Sequence, residues 1–291
     1  MAIKKSKGEK VFDIFNHLFL ALYCFVVTVP ILHLVAGSFS STRALTHGEV
    51  GLLPVDFNFD NYIIVFQNPL FWNSLKITLI VVITGTILHL FLTILAAYPL
   101  SKRDLKGRRL IMLFILFTLI FSAPMVPTYL VIKYLNLLNT IWALILPSAV
   151  SAFNLILCIT FFRTVPEELF DAARVDGMSE YGIVWKIVVP LSKPVLVTLT
   201  LFYSVAAWNN YQSALLYITD RSLRPLQLYL YSLLSQGNVN HEMGGVDELL
   251  DISPQGLQMA TIIVATIPIV LVYPFIQKHF IKGALLGSIK E

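Results

Sequence analysis

Hydrophobic and polar positions separate this chain into six long apolar runs, about Phe15–Gly37, Ile77–Leu100, Leu110–Val131, Thr140–Phe162, Val195–Tyr217 and Gln258–Gln277. Each reaches the roughly 20 residues that a helix needs to cross a hydrocarbon core about 30 Å thick. The runs are continuously apolar, without the period of two that a lipid-facing barrel strand requires, so they predict helices. The expected fold is an all-α polytopic integral membrane protein with six transmembrane helices, a single domain over residues 1–291. No small-residue cleavage site or lipidated Cys follows the first run, which therefore reads as an uncleaved helix.

Between the fourth and fifth runs lies a long polar interruption, "PEELFDAARVDGMSEYGIVWKIVVPLSKP", Pro166 to Pro194. A return loop needs only a handful of residues. Thr164 and Glu167 have the spacing of a capping box, and Pro166 suits a first helical turn. A helix starting there should end at Asp176-Gly177, because Gly takes the left-handed conformation without a Cβ clash. Ser179 is placed to cap a second helix, in which Tyr181, Val184, Trp185 and Val188 fall on one face with Glu180 and Lys186 off it. Pro190 and Pro194 should stop that helix and set the angle at which the chain re-enters the bilayer. Residues 164–190 thus read as a helix-turn-helix at the membrane surface, and periodicity alone leaves open an interfacial hairpin with no partner.

Composition agrees: 57% of residues are hydrophobic and 13% charged, against about 25% charged in soluble domains. Charge also sets orientation. With the N-terminus cytoplasmic, sixteen Lys and Arg fall on the inner side and five outside (Arg43, Lys76, Lys133, Arg221 and Arg224). That bias predicts cytoplasmic N- and C-termini and a tail at 278–291. The basic balance follows from topology and gives no support to a nucleic-acid partner.

No Asp, Glu, Lys or Arg lies near the middle of a run; the ionisable residues within the runs are His17, His33 and His89. A proton-coupled carrier would need a titratable site, and only His89 offers a relay candidate beside its plainer reading as a hydrogen-bonded structural histidine. Cys24 and Cys158 both fall inside runs and form no disulfide framework or metal spacing, so no metal site is expected. There is no phosphate-binding loop and no catalytic motif. The chain is expected to be a transport subunit rather than an enzyme, with its energy supplied by another polypeptide.

The interrupting stretch resembles the EAA loop of ABC-importer permeases, reading Asp171-Ala172-Ala173, Gly177, Ile187 and Pro190 here. Across nearly the whole chain the sequence is similar to the maltose-type carbohydrate permeases, most of all their second permease subunit. The other matching pieces are "DNYIIVFQNPLFWNSL", "AAYPLSKRDLKGRR", "AAWNNY" and "KGALLGSIKE". Among these it looks closest to oligosaccharide permeases of the aldouronate and rhamnogalacturonan type.

The resemblance implies import of a carbohydrate, such as an oligosaccharide, across the bacterial cytoplasmic membrane. It implies a companion six-span permease, an ABC ATPase dimer carrying ATP and Mg, and an extracellular or periplasmic solute-binding protein, with no cofactor in this chain itself. Its ATPase-coupling residues map to Glu167, Glu168, Asp171, Ala172, Ala173, Asp176, Gly177, Ile187 and Pro190. Asp171 departs from the family's Glu by one methylene, which leaves its basic partner open. The tail resembles a segment inserted between ATPase subunits, giving contacts at Gly283, Leu286 and Gly287. The loop "QGNVNHEMGGVDELLDISPQG" corresponds to one that meets the binding protein. A permease for a non-sugar solute, and a self-sufficient carrier or channel, are the competing readings.

For the substrate path, Trp208, Asn209 and Gln212, with Tyr211, share a broad face if the fifth run is one helix. Ser151 and Asn154 lie after Pro147, whose expected kink turns them toward the same cavity. Aromatic plates and amides suit sugar rings; equally, these amides can hold helices together.

Overall fold

The computed structural model describes residues 7–121, 123–235 and 253–288, with side chains from Gly8 to Leu271. Every regular element among them is helical. Three helices are long and apolar enough to cross a membrane, Gly8–Ser38, Pro69–Ser101 and Pro254–Leu271, or six if each of three bent helix pairs counts as one span. The fold is an all-helical membrane protein.

The bends fall where the backbone cannot continue a helix. The third expected span comprises α5 (Arg108–Ile120) and α6 (Met125–Tyr134), separated where Pro124 holds extended backbone. The fourth comprises α7 (Trp142–Ile145), a 3-10 turn at Leu146–Ser148 containing Pro147, and α8 (Ala152–Phe162), bent by 52°. This is the kink expected of Pro147. The third bent pair joins Glu180–Leu191 to α12 (Lys193–Trp208) at 85°; beyond it α12 ends at Asn209 and α13 (Gln212–Tyr217) starts anew, so the expected continuous helix over Val195–Tyr217 is broken. The last helix runs over Pro254–Ser288, longer at both ends than expected.

Two compact units divide the chain: residues 1–71 with 232–266, and 72–231 with 267–291. In the first unit, α1 (Lys7–Ser38) leads into two short helices, α2 (Thr42–Thr46) and α3 (Asp60–Gln67). Phe39 stacks on Phe57 and meets Phe59 edge-on, and Asn61 Nδ2 donates to the Ser38 carbonyl at 3.1 Å. Gly256 allows close packing here, because a Cβ would stand 2.7 Å from Leu45 and 2.9 Å from the Asn61 amide.

The second unit has the core that positions the candidate site. Ile94, Ala97 and Tyr98 of α4 (Pro69–Ser101) pack with Leu155, Cys158, Ile159 and Phe162 of α8, and with Val195 and Leu199 of α12. Into the same core reach Ala173 of α9 (Glu167–Val175), Ile183 of α10 (Glu180–Ile183), and Val184 and Val188 of the turn that follows. The helix-turn-helix over 164–190 is therefore built onto the spans by burial, the largest stabilising term available to it.

Candidate functional site: a coupling segment and an internal cavity

The first coupling helix begins without the expected capping box. Pro166 is the N-cap and makes no side-chain cap, while the Thr164 hydroxyl donates back to the Phe161 carbonyl at 2.7 Å. Glu167 and Glu168 in the first turn still favour the helix dipole.

Its C-terminus follows expectation. Gly177 has φ +77°, its N–H donates to Arg174 O at 3.0 Å, and the Met178 N–H donates to Ala173 O at 2.9 Å. These paired bonds form a Schellman motif, and Met178 packs against the core that buries Ala173.

The second helix also starts as expected, with Ser179 Oγ accepting from the Gly182 N–H at 3.2 Å. Its buried face differs. Val184 and Val188 are buried, but Tyr181 and Trp185 are exposed at 72% and 42%, and Ile183 is buried in their place. Val184–Val188 is a π turn, which takes in one residue more than an α turn and breaks the i, i+3, i+4 spacing. Trp185 stacks on Phe91 of α4 instead, at 5.9 Å.

Pro190 sits inside the next helical turn, α11 (Val189–Leu191), after this widened stretch. The wide turn relieves the clash that a proline imposes on the carbonyl four residues before it. The chain then turns by 85° at Ser192, and Pro194 lies in the first turn of α12.

Burial splits the motif by side. Ala173 faces the core, and Ile187 is half-buried. Glu167, Glu168, Asp171, Ala172, Asp176, Gly177 and Pro190 are exposed. Val175 beside them is 88% exposed. The outer face of α9 is thus acidic with apolar patches.

One polar cluster was not found from sequence. Glu180 accepts from Lys102 Nζ at 2.6 Å, from the Tyr98 hydroxyl, and from Arg174 Nε at 3.1 Å. Arg174 also donates to Asp171 at 3.2 Å, giving Asp171 a partner within the chain. Lys102 Nζ lies 4.4 Å from the centre of the Tyr98 ring. Hydrogen bonds from Lys102, then Tyr98, hold the Glu180 carboxyl down at about 2. Helical periodicity placed Glu180 only off the apolar face; its partners lie 78 and 82 positions away in "AAYPLSK", beyond the reach of local pattern.

Within the same unit a cavity of about 350 Å³ lies among α4, the 3-10 turn, α8 and α12. Ser151 and Asn154 line it, joined by Ser148, Phe153, Phe202 and Asn210. Ser151 caps α8, and its N–H donates to the Tyr203 hydroxyl at 3.2 Å, which pairs with Thr93 Oγ1 at 2.7 Å. His89 Nε2 donates to the Ile145 carbonyl at 2.9 Å and its ring meets Tyr203 edge-on. His89 is a structural hydrogen-bonding group in the cavity wall.

The other expected path residues lie elsewhere, because α12 ends before them. Trp208 is buried at the helix end, and Asn209 is exposed with its amide nitrogen donating to Val205 O at 2.9 Å. Tyr211 stacks on Tyr231 at 5.3 Å, and Gln212 opens α13. Asn210, one residue along, takes the place in the cavity wall expected of Asn209. For the tail positions Gly283, Leu286 and Gly287 the backbone is helical and the side chains lie outside the described residues. Residues 236–252 of the acidic loop also lie outside them. Among the described residues no group of His, Cys, Asp and Glu is arranged to hold a metal.

Residues 89–285, which contain both the coupling segment and most of the cavity wall, match the family described as the binding-protein-dependent transport system inner membrane component. The chain belongs to this permease family. It is 43% identical over 287 residues to the polygalacturonan/rhamnogalacturonan transport system permease protein YtcP of Bacillus subtilis (strain 168), covering 97% of this chain and 99% of that one. Protein LplC of the same organism is also 43% identical, over 98% of this chain and 97% of its own. Among solved structures, a chain of a bacterial ABC transporter involved in the import of the acidic polysaccharide alginate superposes with a TM-score of 0.90 at 35% identity, covering 96% of this chain and all of that one. The permease is accordingly an inner-membrane, multi-pass transport component, not a catalytic subunit, in a system that depends on a binding protein.

Proposed function

We propose that this permease forms half of the membrane pathway of an ATP-driven carbohydrate importer, with an oligosaccharide as cargo. The observation that carries the reading is the α9–Gly177–α10 element, rooted in the core by Ala173, Ile183 and Val184 while presenting an acidic face outward. Such an element needs a rigid partner, and an ATPase dimer whose closure rocks the spans fits it. The carbohydrate assignment draws on the named cargo of YtcP and of the alginate importer. The cavity supports it: Phe153 and Phe202 offer apolar plates, and Ser148, Asn154 and Asn210 offer hydroxyl and amide partners for a sugar's rim. Among the described residues no Asp, Glu, Lys or Arg lines it, so this wall reads sugar by hydroxyls and ring faces.

The remaining parts follow from the same reading. With six spans, both termini and the coupling segment lie in the cytoplasm on this reading, which the Lys and Arg bias supports. A second six-span permease completes the pathway, the tail around Gly283, Leu286 and Gly287 meets the ATPase pair, and the loop at 236–256 meets the binding protein. Reconstitution into vesicles with all partners tests the proposal. Expected is ATP-dependent accumulation of a uronate or neutral oligosaccharide that stops when any one partner is left out. Ion-gradient uptake by this chain alone, or ATP-driven uptake of peptides or amino acids without sugars, overturns it.

A further inference from the structure

Between the coupling segment and the cavity runs one helix, α4. It lines the cavity with Thr78, Gly85 and His89, and it carries Tyr98 nine residues further on, about 13 Å along the axis. Its last turn is where Glu180 takes hold, through Tyr98 and, just beyond the helix, Lys102. On the other side Glu180 holds Arg174 of α9, which holds Asp171. One carboxylate therefore joins three partners on two elements that are far apart in sequence. The apolar core beneath resists separation of those elements, but burial is non-directional and permits sliding. Charge-assisted hydrogen bonds have directions, so they fix register as well as distance.

We propose that Glu180 is a positioning residue that locks the C-terminal end of α4 to the coupling segment, so that displacement of α9 moves the cavity wall. This rests on the coupling role given above to α9. Glu180 is not among the cavity-lining residues, nor part of the exposed outer face of α9 at Asp171 and Ala172. Removing it leaves docking of the ATPase in place and loosens transmission.

The test uses the full complex with companion permease and ATPases, carrying Cys24→Ser and retaining Cys158, whose thiol is fully buried. In Glu180→Gln and Glu180→Ala the ATPase pair should still co-purify and hydrolyse ATP within about twofold of wild type, while sugar carried per ATP falls about tenfold. With Ala206→Cys reporting on the cavity, the ATP-driven change in thiol reactivity should disappear in both variants. A structural defect would lower assembly, hydrolysis and uptake together. Lys102→Cys/Glu180→Cys supplies the rescue: uncoupled as made, it should recover its sugar-to-ATP ratio when a bifunctional thiol reagent bridges the two positions. An unchanged ratio in Glu180→Ala overturns the proposal, as does a bridged complex that hydrolyses ATP and stays uncoupled. If the wild-type complex imports no carbohydrate at all, the carbohydrate reading fails by itself, and the reactivity change at Ala206→Cys still decides the role of Glu180.

Discussion

Among the described residues nothing lies within 4 Å of the point where a Cβ on Gly177 would stand, so the cost of a side chain there comes from the backbone. At φ +77° an L-residue loses about 1–2 kcal/mol. Gly177→Ala should loosen the turn by that amount, seen as faster hydrogen exchange at the Met178 amide, while Gly177→Asn should be tolerated better. Gly177→Val adds a branched group on the exposed surface proposed to meet the ATPase, and is expected to abolish either ATPase pull-down or substrate-stimulated hydrolysis while membrane insertion is retained. Wild-type retention and uptake in that variant would exclude a coupling role for this turn. Glu180 makes a second expectation at this scale. Its folded-state value of about 2 lies below the ordinary 4.5, so its pairing stabilises fully above pH 4.5 and is lost as pH falls through 2. The difference in thermal stability between wild type and Glu180→Gln should therefore stay constant from pH 8 to pH 5 and shrink only below. A difference that changes near neutrality would mean that another group governs the cluster.

At the scale of elements, the cavity divides the amides sharply. Asn154→Ala and Asn210→Ala each remove a group that can bond a sugar hydroxyl, so uptake should fall roughly tenfold with ATPase docking intact. Gln212→Ala, outside the cavity, should transport within about twofold of wild type. Equal losses in all three would point to helix packing instead. The pattern of misplacement explains what the sequence could show. Six apolar runs, the Ser179 cap and the Gly177 stop were legible, because each depends on a few neighbouring residues. The break after Trp208 was hidden: "WNNY" continues an apolar run, yet Asn210 Oδ1 accepts from the Ser213 N–H at 3.1 Å and starts a new helix. The π turn was hidden as well, since its width answers to Pro190 downstream and to the core packed on Val184 and Val188. Thr164 shows the converse: the local capping-box spacing is present, but its hydroxyl bonds back to the Phe161 carbonyl and Pro166 takes the N-cap.

For the whole molecule, the exposed apolar surface of α1 says what surrounds it. Phe12, Phe15, Leu18, Tyr23 and Phe25 are each more than 60% exposed, which only lipid or a neighbouring span can accommodate. The cavity wall, by contrast, has consequences for electrical work. A membrane potential acts on charges that move, at about 2.3 kcal/mol per charge per 100 mV. Among the described residues, the wall this chain contributes has no carboxylate, ammonium or guanidinium to carry through the field. Import of a neutral oligosaccharide should then run at the same rate in vesicles clamped at zero and at an interior-negative potential, whereas a uronate oligomer should slow as its charge count rises. A voltage dependence seen with neutral cargo would assign moving charge to the companion subunit. On this chain's side, the electrical cost of each turnover is set by the passenger.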